Sequence, residues 1–247
     1  MKLDLIRIVL VATTHPGNIG ATARAMKTMG LKNLYLVTPK IFPDQKAYEM
    51  AAGADDILEN AVVTGTLEEA IHDCHMVFAT SARPRDIALP GHTPASMASL
   101  VNEQKEETKI AVIFGREHAG LTNEELLRCH FHINIPSNPD YSSLNLAQAV
   151  QIIVYELRMK LLAPSATVGT VDNPLAKVED IEQFYSHLTS VLVEIDFLKL
   201  NNPKRLMQRL RRMFNRIRLE SMEVNILRGI LTHVEMAIKN ENRDKGV

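Results

Sequence analysis

The sequence predicts an α/β domain built on a parallel sheet, followed by a small all-helical domain. Three observations carry this. Short β-rich runs alternate with helical patterns through the first two-thirds of the 247 residues. The runs are nearly continuous in apolar residues, as strands covered on both faces are. Beyond about residue 177 only helical periodicity remains.

In order, residues 6–12 form a buried strand broken only by Arg7. His15, Pro16 and Gly17 make a loop. Residues 19–29 then form a helix, stopped by Gly30. Strands follow at 33–37, 61–64, 76–80, 110–114 and 131–135. Thr66 with Glu69, and Thr122 with Glu125, are spaced as capping boxes. Asp55–Asp56 after Gly53 reads as a turn. Residues 144–161 form a long helix. Domain boundaries are expected at 1–163 and 177–247, with a linker at 164–176 rich in small residues. Helices are expected at 178–195, 203–218 and 220–239, with Asn202 and Pro203 opening the second.

Composition narrows the function classes. Hydrophobic residues make up 46% and charged residues 23%, as in an ordinary globular protein. Two cysteines, Cys74 and Cys129, cannot build a secreted disulfide framework, so a reducing compartment is expected. No run reaches the roughly 20 apolar residues of a membrane span. The N-terminus, with Asp4 and Arg7 flanking a short apolar run, matches neither a signal nor a transit peptide. A cytoplasmic location is expected. The net charge of −1 is uninformative, but residues 199–218 carry eight Lys/Arg and no Asp/Glu.

In parallel sheets, ligands bind at the loops beyond the strands' carboxyl ends, here those after residues 12, 80, 114 and 135. The first loop leads into Asn18-Ile-Gly20-Ala-Thr-Ala-Arg24. Asn18 can cap the helix, Gly20 admits a close backbone, and Arg24 offers a planar, permanently charged fork to a phosphate or oxyanion. A solvated surface arginine is the plainer explanation of Arg24 alone. The second is Phe114-Gly-Arg-Glu-His-Ala-Gly120, where Gly115 permits close approach to a flat ligand. Arg116 and Glu117 either serve a site or simply pair with each other. The third runs from Ile135 through Ser142-Ser143-Leu144-Asn145 into a helix. Capping accounts for one of its polar residues, not for the set.

In combination, Asn18-x-Gly20-x-x-x-Arg24, Phe114-Gly-Arg-Glu117 with Gly120-Leu-Thr, and Ser142-Ser-Leu-Asn145-Leu-Ala resemble the three motifs of the SPOUT superfamily of RNA methyltransferases. The resemblance covers about the first 160 residues, in the same order. With the helical extension, the chain is most similar to the bacterial TrmJ family, tRNA 2′-O-methyltransferases acting on cytidine or uridine 32 of the anticodon loop.

The resemblance implies a trefoil-knotted sheet, S-adenosylmethionine as cofactor, and a homodimer with its site near the subunit interface. Matched to the family's cofactor pocket are Thr80, Ser81, Ala82, Gly115, Ile135, Ser142, Ser143 and Leu144. Arg24, Glu117, Ser143 and Asn145 correspond to catalytic positions. Arg24 would face the partner subunit's cofactor, position a phosphate and stabilise the forming alkoxide. Glu117 would orient Arg24 or Asn145, and Ser143 would hydrogen-bond the nucleotide.

The basic segment adds a partner. Arg205, Arg209, Arg212 and Arg216, at spacings of 4, 3 and 4, share one helix face. Leu206, Leu210, Met213 and Ile217 follow one residue on, as an expected packed face. Cations without counter-charges repel one another, and an RNA phosphate backbone relieves that repulsion. The expected partner is the tRNA anticodon stem-loop, with no membrane. His72, Cys74 and His75, like Cys129, His130 and His132, lack zinc spacing, so no metal is expected. A non-catalytic RNA-binding protein on the same fold is the alternative. A nucleotide-dependent oxidoreductase is disfavoured, because no glycine fingerprint follows the first strand.

Overall fold

The computed structural model describes residues 2–81, 89–162, 174–199 and 204–244. The chain forms two compact units, Met1–Val171 and Asp172–Val247. A 3-10 turn at Lys2–Leu5 opens the first. Then follow β1 (Ile6–Val11), α1 (Pro16–Met29), β2 (Asn33–Val37), α2 (Gln45–Ala51), α3 (Asp55–Glu59), β3 (Val62–Thr64) and α4 (Leu67–Ile71). They continue as β4 (Met76–Thr80), β5 (Gly91–His92), α5 (Pro94–Asn102), β6 (Ile110–Phe114), α6 (Asn123–Leu126), β7 (Phe131–Ile133) and α7 (Leu146–Leu161). The second unit contains α8 (Val178–Glu194), α9 (Lys204–Ile217) and α10 (Ser221–Asp244).

The strands form one sheet in the order β3-β2-β1-β6-β4-β7-β5, every pairing parallel. All carboxyl ends therefore face one way. β1 and β6 are buried along their whole length, as their apolar runs predict. Arg7 fits this core because its charge is matched. It pairs with Asp73 at 2.9 Å and lies 4.2 Å over the Tyr35 ring. Burial pushes the Asp73 carboxyl up, but Lys109 and Arg7 outweigh it and hold the group at about 2.

Several local expectations change. The helix expected from residue 19 begins at Pro16, because proline suits the first helical position. His15, not Asn18, becomes its N-cap. Asp55 and Asp56 open the short α3 rather than a turn, favoured by the helix's positive N-terminus. Only half the box at Thr66 forms: Thr66 caps the Glu69 N–H, while Glu69 accepts from Gly65 instead. Thr122 and Glu125 form the complete box. The strand expected to 135 ends at Ile133, and α7 begins at Leu146 with Asn145 as N-cap. Asn202 and Pro203 lie outside the described residues.

Gly20 admits another backbone, as expected, and that backbone belongs to α2. A Cβ there would lie 1.9 Å from the Ala47 carbonyl oxygen. Gly20→Ala is therefore expected to force α1 and α2 apart and destabilise the first unit by about 1–3 kcal/mol. A thermal melt checks this; an unchanged midpoint would mean that the helices separate freely.

The second unit has its own core, built on Ile181, Phe184, Tyr185, Val191, Val224 and Leu231. Here the expected packing of α9 is corrected. Met213 and Ile217 are 43% and 60% exposed rather than packed. The inward side is one residue on, about 100° round the helix. Phe214 stacks edge-on to Phe184 at 5.0 Å, and Asn215 is buried. Buried polar groups set this rotation. The Tyr185 hydroxyl donates to Asn215 Oδ1 at 2.7 Å. Arg211 grips Glu182 through both terminal nitrogens and lies 4.3 Å over the Tyr185 ring.

Candidate active site

The carboxyl ends of β6, β4 and β7 lie side by side, so the residues that end these strands share one edge of the sheet. Thr80 and Ser81 leave β4 there, Gly115 leaves β6, and the chain after β7 runs through Ile135 towards α7. Thr80 Oγ1 donates to the Ile113 carbonyl at 3.0 Å, and Ser81 N–H to the Ile133 carbonyl at 3.2 Å. Ala82 lies outside the described residues.

Gly115 serves its own loop. A Cβ would sit 2.2 Å from the Gly120 carbonyl carbon, where Arg116 and Gly120 bridge. The close neighbour on that side is the chain's own backbone at Gly120 and Leu121. Arg116 and Glu117 do not pair. Arg116 forms a fork with Glu125 at 3.0 and 3.1 Å, which leaves Glu117 to the loop after β1.

Glu117 is the hub of that region. Its carboxylate accepts from the Thr14 N–H and hydroxyl, the His15 N–H, and Asn18 Nδ2 at 2.9 Å. Burial pushes its carboxyl up, but the donors of Asn18 and Thr14 prevail and lower it from 4.5 to about 2. A carboxylate also suits the positive end of α1. Asn18 passes the contact on: its Oδ1 accepts from Asn145 Nδ2 at 3.0 Å. Asn145 Oδ1 in turn caps α7 through the Ala147 and Gln148 N–H groups. Side-chain hydrogen bonds from Glu117 through Asn18 to Asn145 thus join all three motif loops.

Arg24 stands apart from this chain of contacts. It is exposed on α1 and, among the described residues, has no hydrogen-bond or ion-pair partner. Glu117 reaches Asn145 through Asn18 and does not touch Arg24. Ser142 and Ser143 precede the α7 cap, with Ser143 exposed. Leu144 is 36% exposed and Tyr141 81% exposed, so apolar side chains stand open beside the small polar ones. That mixture fits a cofactor with an aromatic base and ribose hydroxyls. The sequence places His15 in a loop but gives neither it nor Thr14 a role at the site, because Glu117, 102 and 103 residues away, cannot be matched to them by spacing.

In the second unit, Arg209, Arg212 and Arg216 are exposed on α9. The Arg205 side chain lies outside the described residues. Within the two His/Cys clusters, His75, His130 and both cysteines belong to the scaffold. Cys74 and Cys129 are buried thiols outside any disulfide, and the Cys129 thiol donates to the Glu125 carbonyl at 3.3 Å. His130 and His75 accept from the Val77 and Lys109 N–H groups, each at 3.0 Å. Among the described residues no three His, Cys, Asp or Glu side chains group as metal ligands, and no helix is long and apolar enough to cross a membrane.

Comparison with known proteins places the chain in a family. The profile of the SpoU rRNA Methylase family matches residues 5–155. The profile of the tRNA methyltransferase TrmJ C-terminal domain matches residues 179–244. The tRNA (cytidine/uridine-2′-O-)-methyltransferase TrmJ of Photorhabdus laumondii is 49% identical over 94% of this chain and 98% of its own. The TrmJ of Escherichia coli K12 is 48% identical over 98% of this chain and all of its own length. The crystal structure of TrmJ from Z. mobilis ZM4 superposes with a TM-score of 0.81 at 35% identity, covering 93% of this chain and 98% of that one. The chain therefore belongs to the SpoU methylase family, in the branch that carries a TrmJ C-terminal domain.

Proposed function

We propose that the protein is an S-adenosylmethionine-dependent tRNA ribose 2′-O-methyltransferase acting on cytidine or uridine 32 of the anticodon loop. The observation that carries this is the Glu117–Asn18–Asn145 line, which fixes the three motif loops at one end of the sheet. It stands in a chain that is 48% identical to a tRNA (cytidine/uridine-2′-O-)-methyltransferase across nearly its whole length.

The sulfonium cofactor supplies an activated methyl group. Thr80, Ser81, Ala82, Gly115, Ile135, Ser142, Ser143 and Leu144 are the residues assigned to hold it, in the knotted loops that the family resemblance implies. Methyl transfer to a hydroxyl needs oxygen, carbon and sulfur in line, so the protein's task is chiefly alignment. Glu117 and Asn145 fix the loops. Ser143 offers a hydroxyl to the nucleotide. Arg24, left free on α1, positions a phosphate and stabilises the forming alkoxide. In a homodimer it would do so for the partner's cofactor. The exposed arginines of α9, Arg209, Arg212 and Arg216, and with them Arg205, bind the tRNA backbone. Such an enzyme works in the cytoplasm, where its substrate is.

Mapping ribose methylation by mass spectrometry, in tRNA from cells with and without the gene, tests the reading. Loss of the 2′-O-methyl group at position 32 supports it; an unchanged pattern overturns it. The α9 role has its own test. Replacing Arg209, Arg212 and Arg216 with alanine is expected to weaken tRNA binding and to flatten the log–log salt dependence by about 2–3 units of slope. Unchanged binding at low and high salt would remove α9 from the interface.

A further inference from the structure

We propose that His15 is a further substrate-contacting residue, donating a hydrogen bond from Nε2 to a phosphate oxygen of the RNA at the rim of the site. The inference rests on the functional reading above.

His15 is fixed at two points. Its Nδ1 accepts from the Gly17 N–H at 3.0 Å, capping α1. Its own N–H donates to Glu117 Oε1 at 3.2 Å. Ring and backbone are therefore tied to the same carboxylate hub that organises the motif loops. A ring nitrogen that accepts carries no proton, so the neutral imidazole holds its proton on Nε2. The residue is exposed, and among the described residues Nε2 has no partner. The result is a preset donor facing outward.

The choice of residue points the same way. Serine, threonine, aspartate or asparagine caps a helix with a short side chain and nothing to spare. Histidine caps α1 and presents a second polar atom on the far side of the ring. The first turn of α1 accommodates it: a Cβ on Gly17 would lie 3.0 Å from the ring and 3.5 Å from Met50 Cγ. Met50 is itself 42% exposed. The imidazole and an open apolar side chain thus border the glycine together.

The amides of this turn are not available to a phosphate. The Thr14 and His15 N–H groups already serve Glu117, and the Gly17 N–H serves His15. An RNA strand reaching this rim meets the imidazole N–H in their place. Phosphate and sugar oxygens take most protein–nucleic acid hydrogen bonds, so a phosphate oxygen is the partner to which the geometry commits.

Two variants test this. In His15→Asn a shorter acceptor keeps the cap while the outward donor is lost. His15→Ala loses both. For both variants we expect a KM for tRNA about five- to tenfold above wild type, the effect of one neutral hydrogen bond. Affinity for S-adenosylmethionine, measured by calorimetry, should stay at the wild-type value. Only His15→Ala should show a lower thermal midpoint. The salt dependence of tRNA binding should keep its slope, because a neutral donor displaces no counterion. A wild-type KM in either variant overturns the proposal. So does a loss of cofactor affinity in place of tRNA affinity, which would assign Nε2 to the cofactor carboxylate. A wild-type protein that methylates no tRNA defeats the functional reading and this inference with it. An active wild type with equally active variants defeats the inference alone.

Discussion

Arg24→Ala is expected to lower methyl transfer by at least about 100-fold while leaving S-adenosylmethionine affinity near normal. Removing one group that stabilises a developing charge commonly costs that much. The structure separates this effect from any on folding. Arg24 is exposed, and among the described residues no partner depends on it. Alanine is at least as good a helix former, so α1 keeps its shape. The expected pattern is a collapsed turnover with unchanged calorimetric cofactor binding and an unchanged melt. Labelled-methyl transfer to tRNA reads the first of these. A variant with wild-type turnover would end the catalytic role.

Glu117→Gln is expected to behave differently, because Glu117 acts on loops rather than on substrate. The carboxylate accepts from four donor groups on Thr14, His15 and Asn18. A glutamine must turn an NH₂ towards some of them and leaves donors unpaired. A loss of about 1–3 kcal/mol in stability follows. Asn18 loosens, and with it the Asn145 cap of α7. Turnover and cofactor affinity should therefore fall together, each roughly tenfold if about a tenth of the molecules keep the loops aligned. Arg24→Ala should not produce that joint loss.

Acid adds a second signature. The folded Glu117 group titrates at about 2, below its ordinary 4.5. A depressed carboxyl contributes stability that is fully present above 4.5 and is lost as pH falls towards 2. Asp73 titrates at about 2 as well, so both groups weaken the fold across one window. The difference between wild type and Glu117→Gln isolates one of them: it should shrink as pH falls through that window. A difference that is constant with pH would show that the charge of Glu117 contributes nothing.

The parts of the fold that rest on continuous apolar runs could be read from the sequence. β2, β4 and β6 have the expected bounds, and β1 differs by one residue. The elements left unread are short or depend on partners. β5 is two residues long, too short for any periodicity. α2 and α5 did carry signals, Asp44 as an N-cap and Thr93-Pro94 with Ser96 as a capping box. The inward face of α9 is hidden from the sequence for another reason. Counting leucines gives an apolar stripe, but Tyr185 and Glu182 lie on α8, and their demand for polar partners turns the helix. The site shows the same division. Its residue types were visible in the three motifs, whereas Asn18 as the link between Glu117 and Asn145 needed three dimensions.

The order of the sheet also bears on how the chain is made. β1 sits between β2 and β6, with Ile6 beside Ile110. One edge of this strand, apolar but for Arg7, must wait for about a hundred more residues to be synthesised. At typical elongation rates that is on the order of 5–20 s. Throughout that interval the nascent chain presents an unpaired, hydrophobic backbone edge to the ribosome's surroundings. A strand buried along its whole length in the finished protein is thus exposed at one edge for that long on the way to it, and chaperones have that interval in which to shield it.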